Sequence, residues 1–429
     1  MASWMAQGGW NPLAIERAEG IYYFDFEGNR FMDWASQLIN VNIGHSHPKV
    51  IQAIKDQAEK LCYISPSIAT EARGKLGKHL AEITPSNINK SLFTTGGADA
   101  IENAIKIARL YTGRRKIVTR YKSYHGGTAG AMTAGGDPRR LANEPGIPGI
   151  VRFHCADPYR SPLYRNRTVE EGDMASADLL EQTILMEGPE YIAAILLEGY
   201  NGSSGIFQPG PAFWKKVQEI CDIHGILLII DEVMSGFGRT GKWFGFNHYP
   251  ILKPDIICLA KGITSGYLPL GAVLVSDKIA EYFDTNVLWG GLTYSAHTLA
   301  CATGVANLEI YHEEKLVENA AKMGNILTKE LEKLKEKHKS VGEIRGTGLL
   351  QVIDLVKNRN TREPLSHFNK PLSEAMQKVN AKLKEKGLTT FVRYNWIFCA
   401  PPLIINEQQL MEGINIIDEA LNEADPFVE

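Results

Sequence analysis

Two short apolar runs that each end in an ionisable residue constrain the fold of this chain more than any other feature. Leu228-Ile229-Ile230 ends at Asp231, and Ile256-Ile257-Cys258-Leu259-Ala260 ends at Lys261. Each run is long enough for a strand that is buried on both faces, as strands of parallel sheets are. The separation of about 30 residues leaves room for one connection between the two strands. We therefore expect an aspartate and a lysine to leave neighbouring strands at the same edge of a sheet.

The wider pattern of the chain predicts an α/β fold. From about residue 90, short apolar runs alternate with amphipathic segments, which is typical of βαβ units and a mainly parallel sheet. Apolar residues at helical spacing predict helices after Asp99 and before His224-Gly225. A hairpin is predicted near the N-terminus, and a surface excursion at 152–173. The predicted strands are Lys116–Thr119, Tyr191–Leu197, Ile226–Ile230, Asp255–Leu259 and Ala272–Val275.

Composition excludes several classes of protein. The chain is 44% hydrophobic and 22% charged with a net charge of −3, so no basic field favours nucleic acid or an anionic membrane as a partner. The six cysteines are scattered without metal-ligand spacing and indicate thiols in a reducing compartment. With neither a secretory signal nor an apolar run of membrane-spanning length, we expect a cytoplasmic protein. His45 and His47 lack supporting ligands, so no metal site is predicted.

Asp231 and Lys261 form the pair of groups that a pyridoxal phosphate enzyme needs. A lysine amine forms a Schiff base with the cofactor aldehyde, and a carboxylate keeps the pyridine nitrogen protonated. Val233 shares a side of the extended segment with Asp231 and is placed to pack on a planar ring, whereas Glu232 points the other way and is predicted to be structural. Two simpler interpretations stay open: Lys261 as the first solvated residue after a strand, and Asp231 as a helix cap or partner of Arg239.

Two glycine-containing loops are candidates for holding the rest of such a cofactor. Gly96-Gly97 opens the helix that follows Asp99, and backbone N–H groups at a helix N-terminus attract phosphate. The alternative is an ordinary helix start that uses Thr95 or Asp99 as a cap. A dinucleotide-binding protein is disfavoured because the third glycine of that motif is missing. Tyr124, in Tyr124-His125-Gly126-Gly127, is either a stacking platform or a core tyrosine.

Several motifs together closely resemble the class III, or ω-, aminotransferases, which are fold type I pyridoxal phosphate enzymes. The resemblance rests on 231–241, on Ala260-Lys261-Gly262, on Tyr124-His125-Gly126 and on Gly290-Gly291-Leu292-Thr293-Tyr294, and it extends from about Gly20 to Leu403. It implies a large domain with a mainly parallel seven-stranded sheet between helices, and a smaller α+β domain. We predict the large domain at 61–308 and the small domain at 309–429, and we expect the N-terminal segment 1–60 to join the small domain. It also implies a homodimer, or a tetramer.

The same resemblance implies roles for individual residues. Lys261 would hold the cofactor and carry protons, Asp231 would pair with the ring nitrogen, and Val233 and Tyr124 would sandwich the ring. Thr293 would reach the phosphate bound by the partner subunit. The remaining cofactor-binding residues implied are Gly97 and Ala98 through their backbone, His125 and Glu198.

Departures from the family pattern bear on the substrate. Many members have a hydroxyl residue where this chain has Ala98. Members that resemble the γ-aminobutyrate and ornithine enzymes carry Gln at the position of Met234 and a glutamate at the position of Ser203. Because this chain has neither residue, it resembles the pyruvate-using branch of the family. In that branch an arginine upstream of a Pro-Pro-Leu segment binds the acceptor carboxylate, which makes Arg393 the candidate. Its alternative role is a surface contact in a strand at 391–399.

The resemblance predicts a transaminase that acts by a ping-pong mechanism. It would move an amino group from a primary amine or ω-amino acid to a 2-oxo acid, with pyruvate as the predicted acceptor. The donor would lie among Leu38-Ile39-Asn40, Tyr124 and residues 288–292 of the partner subunit. The alternatives are a 2-oxoglutarate-dependent ω-aminotransferase, an aminomutase or decarboxylase of the same fold, and a scaffold without activity.

Overall fold

A computed structural model describes residue 8 and residues 11–429 of the chain. Sixteen strands in the described residues form three sheets. The strands are β1 (Ile15–Glu19), β2 (Tyr22–Asp25), β3 (Arg30–Asp33), β4 (Ile88–Thr94), β5 (Lys116–Arg120), β6 (Ile150–Phe153), β7 (Ile192–Glu198), β8 (Leu227–Asp231), β9 (Ile256–Leu259), β10 (Gly271–Ser276), β11 (Val341–Thr347), β12 (Leu350–Asn358), β13 (Glu363–Pro364), β14 (Leu388–Thr389), β15 (Val392–Arg393) and β16 (Trp396–Cys399).

Helices connect and cover these strands, together with a few short 3₁₀ turns. No helix of residues 8 and 11–429 is long and apolar enough to cross a membrane. The helices are α1 (Ser36–Ile39, a single distorted turn), α2 (Pro48–Lys60), α3 (Glu71–Ile83), α4 (Gly97–Thr112), α5 (Ala129–Ala134), α6 (Val169–Glu187), α7 (Pro211–His224), α8 (Asp277–Thr285), α9 (Thr298–Glu313), α10 (Leu316–Lys337), α11 (Glu374–Glu385) and α12 (Glu407–Leu421).

The largest sheet has seven strands in the order β4-β10-β9-β8-β7-β5-β6. β10 runs antiparallel to both of its neighbours, and the other pairings are parallel. This is the mainly parallel seven-stranded sheet that the sequence predicts. The five predicted strands in it are each confirmed to within one residue at either end.

The central strands are buried on both faces because alternate residues enter two different cores. In β7, Ile195 and Leu197 belong to one apolar cluster, whereas Ala194 and Leu196 belong to a second cluster on the opposite face. Every residue of β7, β8 and β9 is buried. Such burial explains why these strands are continuous apolar runs rather than alternating ones.

The N-terminal and C-terminal parts of the chain are joined through a second sheet. The predicted hairpin is present as β2 and β3, and β14 from the C-terminal part pairs in parallel with β3. The third sheet consists of β11, β12, β16 and β15 with β13 at one side. The predicted domain boundary after residue 308 lies inside α9, whereas the one after residue 60 lies at the end of α2. The division into domains stays a prediction.

Two local expectations from the sequence are wrong. The segment 152–173 is not simply a surface excursion, because Tyr164 and Asp173 are buried and the tyrosine hydroxyl donates to the Asp173 carboxylate over 2.7 Å. A mutual hydrogen bond lets two polar side chains enter the interior. The strand expected at 391–399 is instead a hairpin, with β15 and β16 antiparallel.

Arg239 does not pair with Asp231, which was one alternative for that aspartate. It is fully buried and donates to the carbonyl oxygens of Leu349 and Ala400, both at 3.1 Å, and to Ser36 Oγ at 3.0 Å. Burial lowers the pKa of its guanidinium to about 10. One side chain thus links the N-terminal, central and C-terminal parts of the chain.

We predict that Arg239→Met lowers the free energy of unfolding by about 3 kcal/mol or more, because several buried carbonyl oxygens lose their donor. Thermal and urea denaturation of purified protein measure the change. The control is Arg165→Met, an exposed arginine, for which we expect less than about 0.5 kcal/mol. Equal stabilities of the two variants would contradict the linking role of Arg239.

Candidate active site

Three ionisable residues meet at the carboxyl ends of neighbouring strands of the central sheet. Glu198 ends β7 and is in register with Asp231, which ends β8, and Asp231 is in register with Cys258 of β9. Lys261 follows β9 after one more residue, Ala260. Glu198, Asp231 and Lys261 all line one cavity of about 460 Å³. Asp231 and Lys261 thus lie at the same edge of the sheet, as the sequence predicts.

The backbone at Lys261 is held in an unusual conformation. Its φ of 47° lies in the left-handed region, which a residue with a side chain adopts at a cost in strain. The next residue has no room for a side chain, since a Cβ on Gly262 would lie 2.6 Å from Phe237 Cβ. Asn307 Nδ2 donates to the carbonyl oxygen of Gly262 over 2.8 Å. Packing and hydrogen bonding therefore fix the direction in which the lysine leaves the sheet.

Burial changes the acid–base behaviour of Lys261. It lowers the pKa of the amine, and this effect outweighs the opposing influence of the Asp231 and Glu198 carboxylates. The positive charge of Arg139 lowers the pKa further. More of the amine is therefore neutral, and hence nucleophilic, than at an exposed lysine.

Asp231 is buried and held by two hydrogen bonds. Its Oδ1 accepts from the backbone N–H of Val233 over 3.0 Å, and its Oδ2 lies 2.8 Å from Nδ1 of His125. The side chain of His125 is fully buried, and its Nε2 has no hydrogen-bond partner within residues 8 and 11–429. The predicted cofactor-binding residue His125 thus touches Asp231 directly and orients the carboxylate.

Glu198 and Glu232 are also buried, and the carboxylate of each accepts hydrogen bonds from neighbouring parts of the chain. Burial raises the pKa of Glu198 against the charge of Arg120, whose Nη2 lies 3.3 Å from Oε2, and the backbone N–H of Gly202 donates to Oε1 over 3.2 Å. Burial raises the pKa of Glu232 to about 7. Glu232 accepts from the backbone N–H groups of Gly245 and Phe246, each over 2.8 Å, which is the structural role that the sequence predicts.

The two glycine-containing loops contact each other at the wall of the cavity. Gly126 has a φ of 144°, and a Cβ there would lie 2.4 Å from Ala98 Cβ. A Cβ on Gly97 would lie 3.0 Å from Val233 Cγ1. Close approach of the backbone is therefore required at both glycines. Ala98, the departure from the family pattern, is a small residue against which Gly126 packs.

The N-terminus of α4 has no side-chain cap, contrary to the alternative from the sequence. The Asp99 carboxylate accepts from the hydroxyl of Thr95 over 2.9 Å and from its backbone N–H over 3.0 Å. Gly96, Gly97 and Ala98 line the cavity. Their first-turn N–H groups are thus free of a side-chain acceptor at the positive end of a helix of 16 residues, which favours an anion.

These features fit pyridoxal phosphate. The uncapped helix N-terminus suits the phosphate, Lys261 suits the aldehyde, and Asp231, with no arginine or lysine paired to it in the described residues, suits the ring nitrogen. Val233 and Tyr124 also line the cavity and are the two side chains predicted to flank the ring. No group of His, Cys, Asp and Glu residues suited to a metal ion is present in the described part of the chain.

A second cavity of about 650 Å³ adjoins the first, and five residues line both: Leu38, Tyr124, Ser203, Met234 and Lys261. The predicted substrate residues Ile39, Tyr124 and Arg393 all line it. The space around these residues is large enough for a small amine or oxo acid.

Arg393 is paired in the wall of this second cavity. Its Nη2 lies 2.8 Å from Asp137 Oδ2, and its Nη1 donates to the carbonyl oxygen of Ser203 over 3.2 Å. Asp137 also accepts from Arg139, whose guanidinium lies 3.8 Å from the centre of the Tyr124 ring. Sequence reasoning missed Asp137 and Arg139. The only feature of the sequence that could have indicated these two residues was a charged run after Gly135-Gly136, in a loop without periodicity.

Thr293 is the one predicted site residue that lies apart from the others. It is exposed and lines neither cavity of its own chain. Its carbonyl oxygen accepts from the hydroxyl of Tyr63 over 2.8 Å. Nearby Trp289 and Tyr294 are 73% and 60% exposed, an unusual state for large aromatic side chains.

Comparison with known proteins gives consistent matches. A family model described as aminotransferase class-III matches residues 4–421. The solved structure of a taurine:2-oxoglutarate aminotransferase from Bifidobacterium kashiwanohense, in complex with PLP and glutamate, is 42% identical, with a TM-score of 0.94 over 99% of this chain and 96% of that one. An adenosylmethionine-8-amino-7-oxononanoate aminotransferase of Methanocaldococcus jannaschii is 36% identical over 96% of this chain and 93% of its own length. A putrescine–pyruvate aminotransferase of Pseudomonas aeruginosa is 33% identical, with coverages of 95% and 90%.

We predict that Lys261 in the cofactor-free protein is reductively methylated at a lower pH than Lys378. The neutral amine is the nucleophile; burial lowers the pKa of Lys261, whereas a hydrogen bond to Glu374 raises that of Lys378. Peptide mass spectrometry after treatment with formaldehyde and cyanoborohydride, from about pH 6 to pH 10, gives both half-labelling points. A half-labelling pH for Lys261 at or above that of Lys378 would show that the amine is not activated.

Proposed function

The chain belongs to the class III aminotransferase family, and from that membership we propose how its own residues perform the transfer. The protein is a pyridoxal phosphate-dependent transaminase that takes an amino group from an amine donor and passes it to a 2-oxo acid. The observation that carries the proposal is the placement of Lys261 and Asp231 on neighbouring strand ends facing one cavity.

The cofactor is held by groups on three sides of the cavity. When bound, pyridoxal phosphate supplies an aldehyde for the incoming amine and a protonated ring that accepts electrons from the substrate carbon. We assign the phosphate to the backbone N–H groups of Gly97 and Ala98, and the two ring faces to Val233 and Tyr124. Glu198 supports this arrangement because its carboxylate accepts a hydrogen bond from the backbone N–H of Gly202 and so holds the turn that leads to Ser203.

Lys261 is the group that moves protons. Its Nζ would take a proton from the substrate carbon that bears the nitrogen and deliver it to the cofactor carbon that carried the aldehyde, so one residue acts first as base and then as acid. A lowered pKa suits this exchange because the neutral amine, which acts as the base, is populated more readily than at an exposed lysine. The fixed backbone at Lys261 and Gly262 keeps the amine directed into the cavity.

Asp231 supplies the negative charge that the ring nitrogen requires. His125 donates to Oδ2 over 2.8 Å and the backbone of Val233 holds Oδ1. A buried carboxylate with fixed donors is a strong partner for a cation because little solvent competes with it.

A homodimer, or a tetramer built from dimers, completes the proposed site. Thr293 would reach the phosphate in the partner subunit, which agrees with its exposure and with its absence from the linings of both cavities of its own chain. The exposed aromatic side chains of Trp289 and Tyr294 beside it supply apolar area for a subunit interface. The division of the chain into a large domain at 61–308 and a small domain at 309–429 is part of the same proposal.

The donor in this proposal is a primary amine or an ω-amino acid, and the acceptor is pyruvate. Met234 and Ser203, on which the choice of pyruvate rests, both line the two cavities, and a relative of this chain is named for pyruvate. A second candidate acceptor is 2-oxoglutarate. It is favoured by a second arginine in the cavity, Arg139, and by the 42% identity to a protein named for that acid.

We predict that Lys261→Ala abolishes amino transfer and the visible absorption that arises when the cofactor is bound to a lysine. The loss follows from removal of both the attachment point and the proton carrier. Steady-state assays and absorption spectra check it. Lys253→Ala, at an exposed lysine, serves as the control and should behave as the wild type. Transfer at the wild-type rate in Lys261→Ala would refute the assignment.

The acceptor is tested in the second half-reaction. After an amine donor has converted the bound cofactor, we predict that pyruvate restores the original absorption spectrum, because the carboxylate of pyruvate meets Arg393. A panel of 2-oxo acids at equal concentration gives the relative rates by stopped-flow absorption. Restoration by 2-oxoglutarate but not by pyruvate would contradict the argument from Met234 and Ser203.

A further inference from the structure

A buried carboxylate in the third sheet binds side chains from three separate parts of the chain. Asp354, on β12, is fully buried, and its Oδ2 accepts from Arg345 Nη1 over 2.8 Å. Arg160 donates to both carboxylate oxygens, each over 2.6 Å, and Asn395 Nδ2 donates to Oδ1 over 2.6 Å. Trp396 Nε1 donates to Oδ2 over 2.9 Å. We call Asp354 and these four donors the Asp354 network.

The charges of the Asp354 network balance one another. Burial alone would raise the pKa of Asp354, but the charge of Arg345 and hydrogen bonds from Arg160 hold it below its ordinary value. Glu343 Oε2 accepts from Arg345 Nη1 over 2.6 Å, so two acids face two guanidinium groups. Buried polar groups that satisfy one another are held rigidly. The network can therefore act as a fixed point for the loops attached to it.

One of these loops carries Arg393. The carbonyl oxygen of Asn395 accepts from the backbone N–H of Leu355 over 2.8 Å, in addition to the bond from its side chain to Asp354. Trp396 is in register with Asp354 on one side and with Arg393 on the other. The backbone of the β15–β16 hairpin is therefore fixed close to the point where the Arg393 side chain leaves it.

The second loop is the turn 202–205, which the network holds through Arg345. Arg345 Nε donates to the carbonyl oxygen of Gly205 over 2.6 Å. At the other end of the turn, the backbone N–H of Gly202 donates to Glu198 Oε1 over 3.2 Å. A Cβ on Gly205 would lie 2.9 Å from an indole carbon of the network. The turn is therefore anchored at both ends and packed against the Asp354 network.

The turn offers an acceptor to Arg393 between its two anchored ends. The carbonyl oxygen of Ser203 accepts from Arg393 Nη1 over 3.2 Å. Ser203 lines both cavities, and Arg393 lines the second. The guanidinium and this acceptor thus come from two loops, and both loops are attached to Asp354. A shift of the turn would move the acceptor and change the direction of the guanidinium.

We propose that Arg345 is a positioning residue for Arg393: it fixes the turn 202–205, so that the Ser203 carbonyl oxygen directs the Arg393 guanidinium toward an incoming carboxylate. The inference rests on the proposed function, in which Arg393 binds the carboxylate of the acceptor. It adds a residue that lines neither cavity to those that determine affinity for the acceptor. A guanidinium that is already oriented loses less conformational entropy when it binds a carboxylate.

The test is a double-mutant cycle with Arg345→Lys and Arg393→Gln, alone and together, in the holoenzyme. Lysine keeps the positive charge beside Asp354, but one ammonium group cannot replace a fork that contacts the carboxylate and the Gly205 carbonyl oxygen at once. Calorimetry gives the Kd of propionate, which has the carboxylate of pyruvate without the oxo group. We expect Arg345→Lys to raise this Kd about fivefold and to add no further loss to Arg393→Gln.

Steady-state kinetics separate positioning from a general loss of structure. In Arg345→Lys the KM for pyruvate should rise by a similar factor, whereas kcat at saturating pyruvate and the KM for a carboxylate-free amine should stay near wild type. The matched control is Arg160→Lys. Arg160 also donates to Asp354, but in the described residues it makes no hydrogen bond to the turn and lines neither cavity. This variant should lose similar thermal stability with unchanged Kd and KM values.

An unchanged propionate Kd in Arg345→Lys, equal effects of Arg345→Lys and Arg160→Lys, or additive losses in the double variant would each overturn the inference. Retained affinity in Arg393→Gln would overturn it together with the carboxylate role of Arg393. Arg345→Gln replaces Arg345→Lys, with the same expected results, if the lysine variant does not fold. Propionate is not turned over, so absence of amino transfer in the wild-type holoenzyme would count against the proposed function alone.

Discussion

The site depends on ionisable groups buried at the carboxyl ends of three neighbouring parallel strands. Charged groups in an interior are costly unless they are paired. Glu198 has Arg120 and Asp231 has His125, but the amine of Lys261 has neither an ion pair nor a hydrogen bond among the described residues. The strand order β7-β8-β9 brings all three groups to one edge, and the unpaired amine is the group to which we assign the chemistry. Burial of a lysine without a partner lowers the stability of the fold, which indicates a catalytic use for this residue.

Close packing of backbone explains the shape of the cofactor cavity and the departure at Ala98. Gly126 and Ala98 approach so closely that a side chain at position 126 would overlap the alanine methyl group. Gly97 also approaches Val233, since a Cβ at position 97 would lie 3.0 Å from Val233 Cγ1, so the start of α4 contacts the segment after β8. The phosphate site that we propose consists of backbone N–H groups at an uncapped helix end and does not include a hydroxyl at position 98.

The sequence predicted the parts of this structure that follow from periodicity. Continuous apolar runs gave β7, β8 and β9 and, with them, the positions of Asp231 and Lys261. Tyr164 and Asp173 were misplaced because a polar, aromatic segment looks exposed until its hydroxyl and carboxylate are seen to satisfy each other. Asp137 and Arg139 were missed because a loop has no period, and only the fold brings them to Arg393 across most of the chain. The change of composition near residue 309 reflects the charged residues of α9 and α10. It does not coincide with the end of an element, because α9 continues through residue 309.

In the site that we propose, the buried Asp231 carboxylate controls the charge of the cofactor held by Lys261. Nitrogen-15 NMR of holoenzyme reconstituted with cofactor labelled at the ring nitrogen measures that charge directly. We predict a protonated nitrogen in the wild type at neutral pH and an unprotonated one in Asp231→Asn, with the cofactor still bound in both. A protonated ring nitrogen in Asp231→Asn would contradict this role of Asp231, because the proton would then be held by something other than its carboxylate.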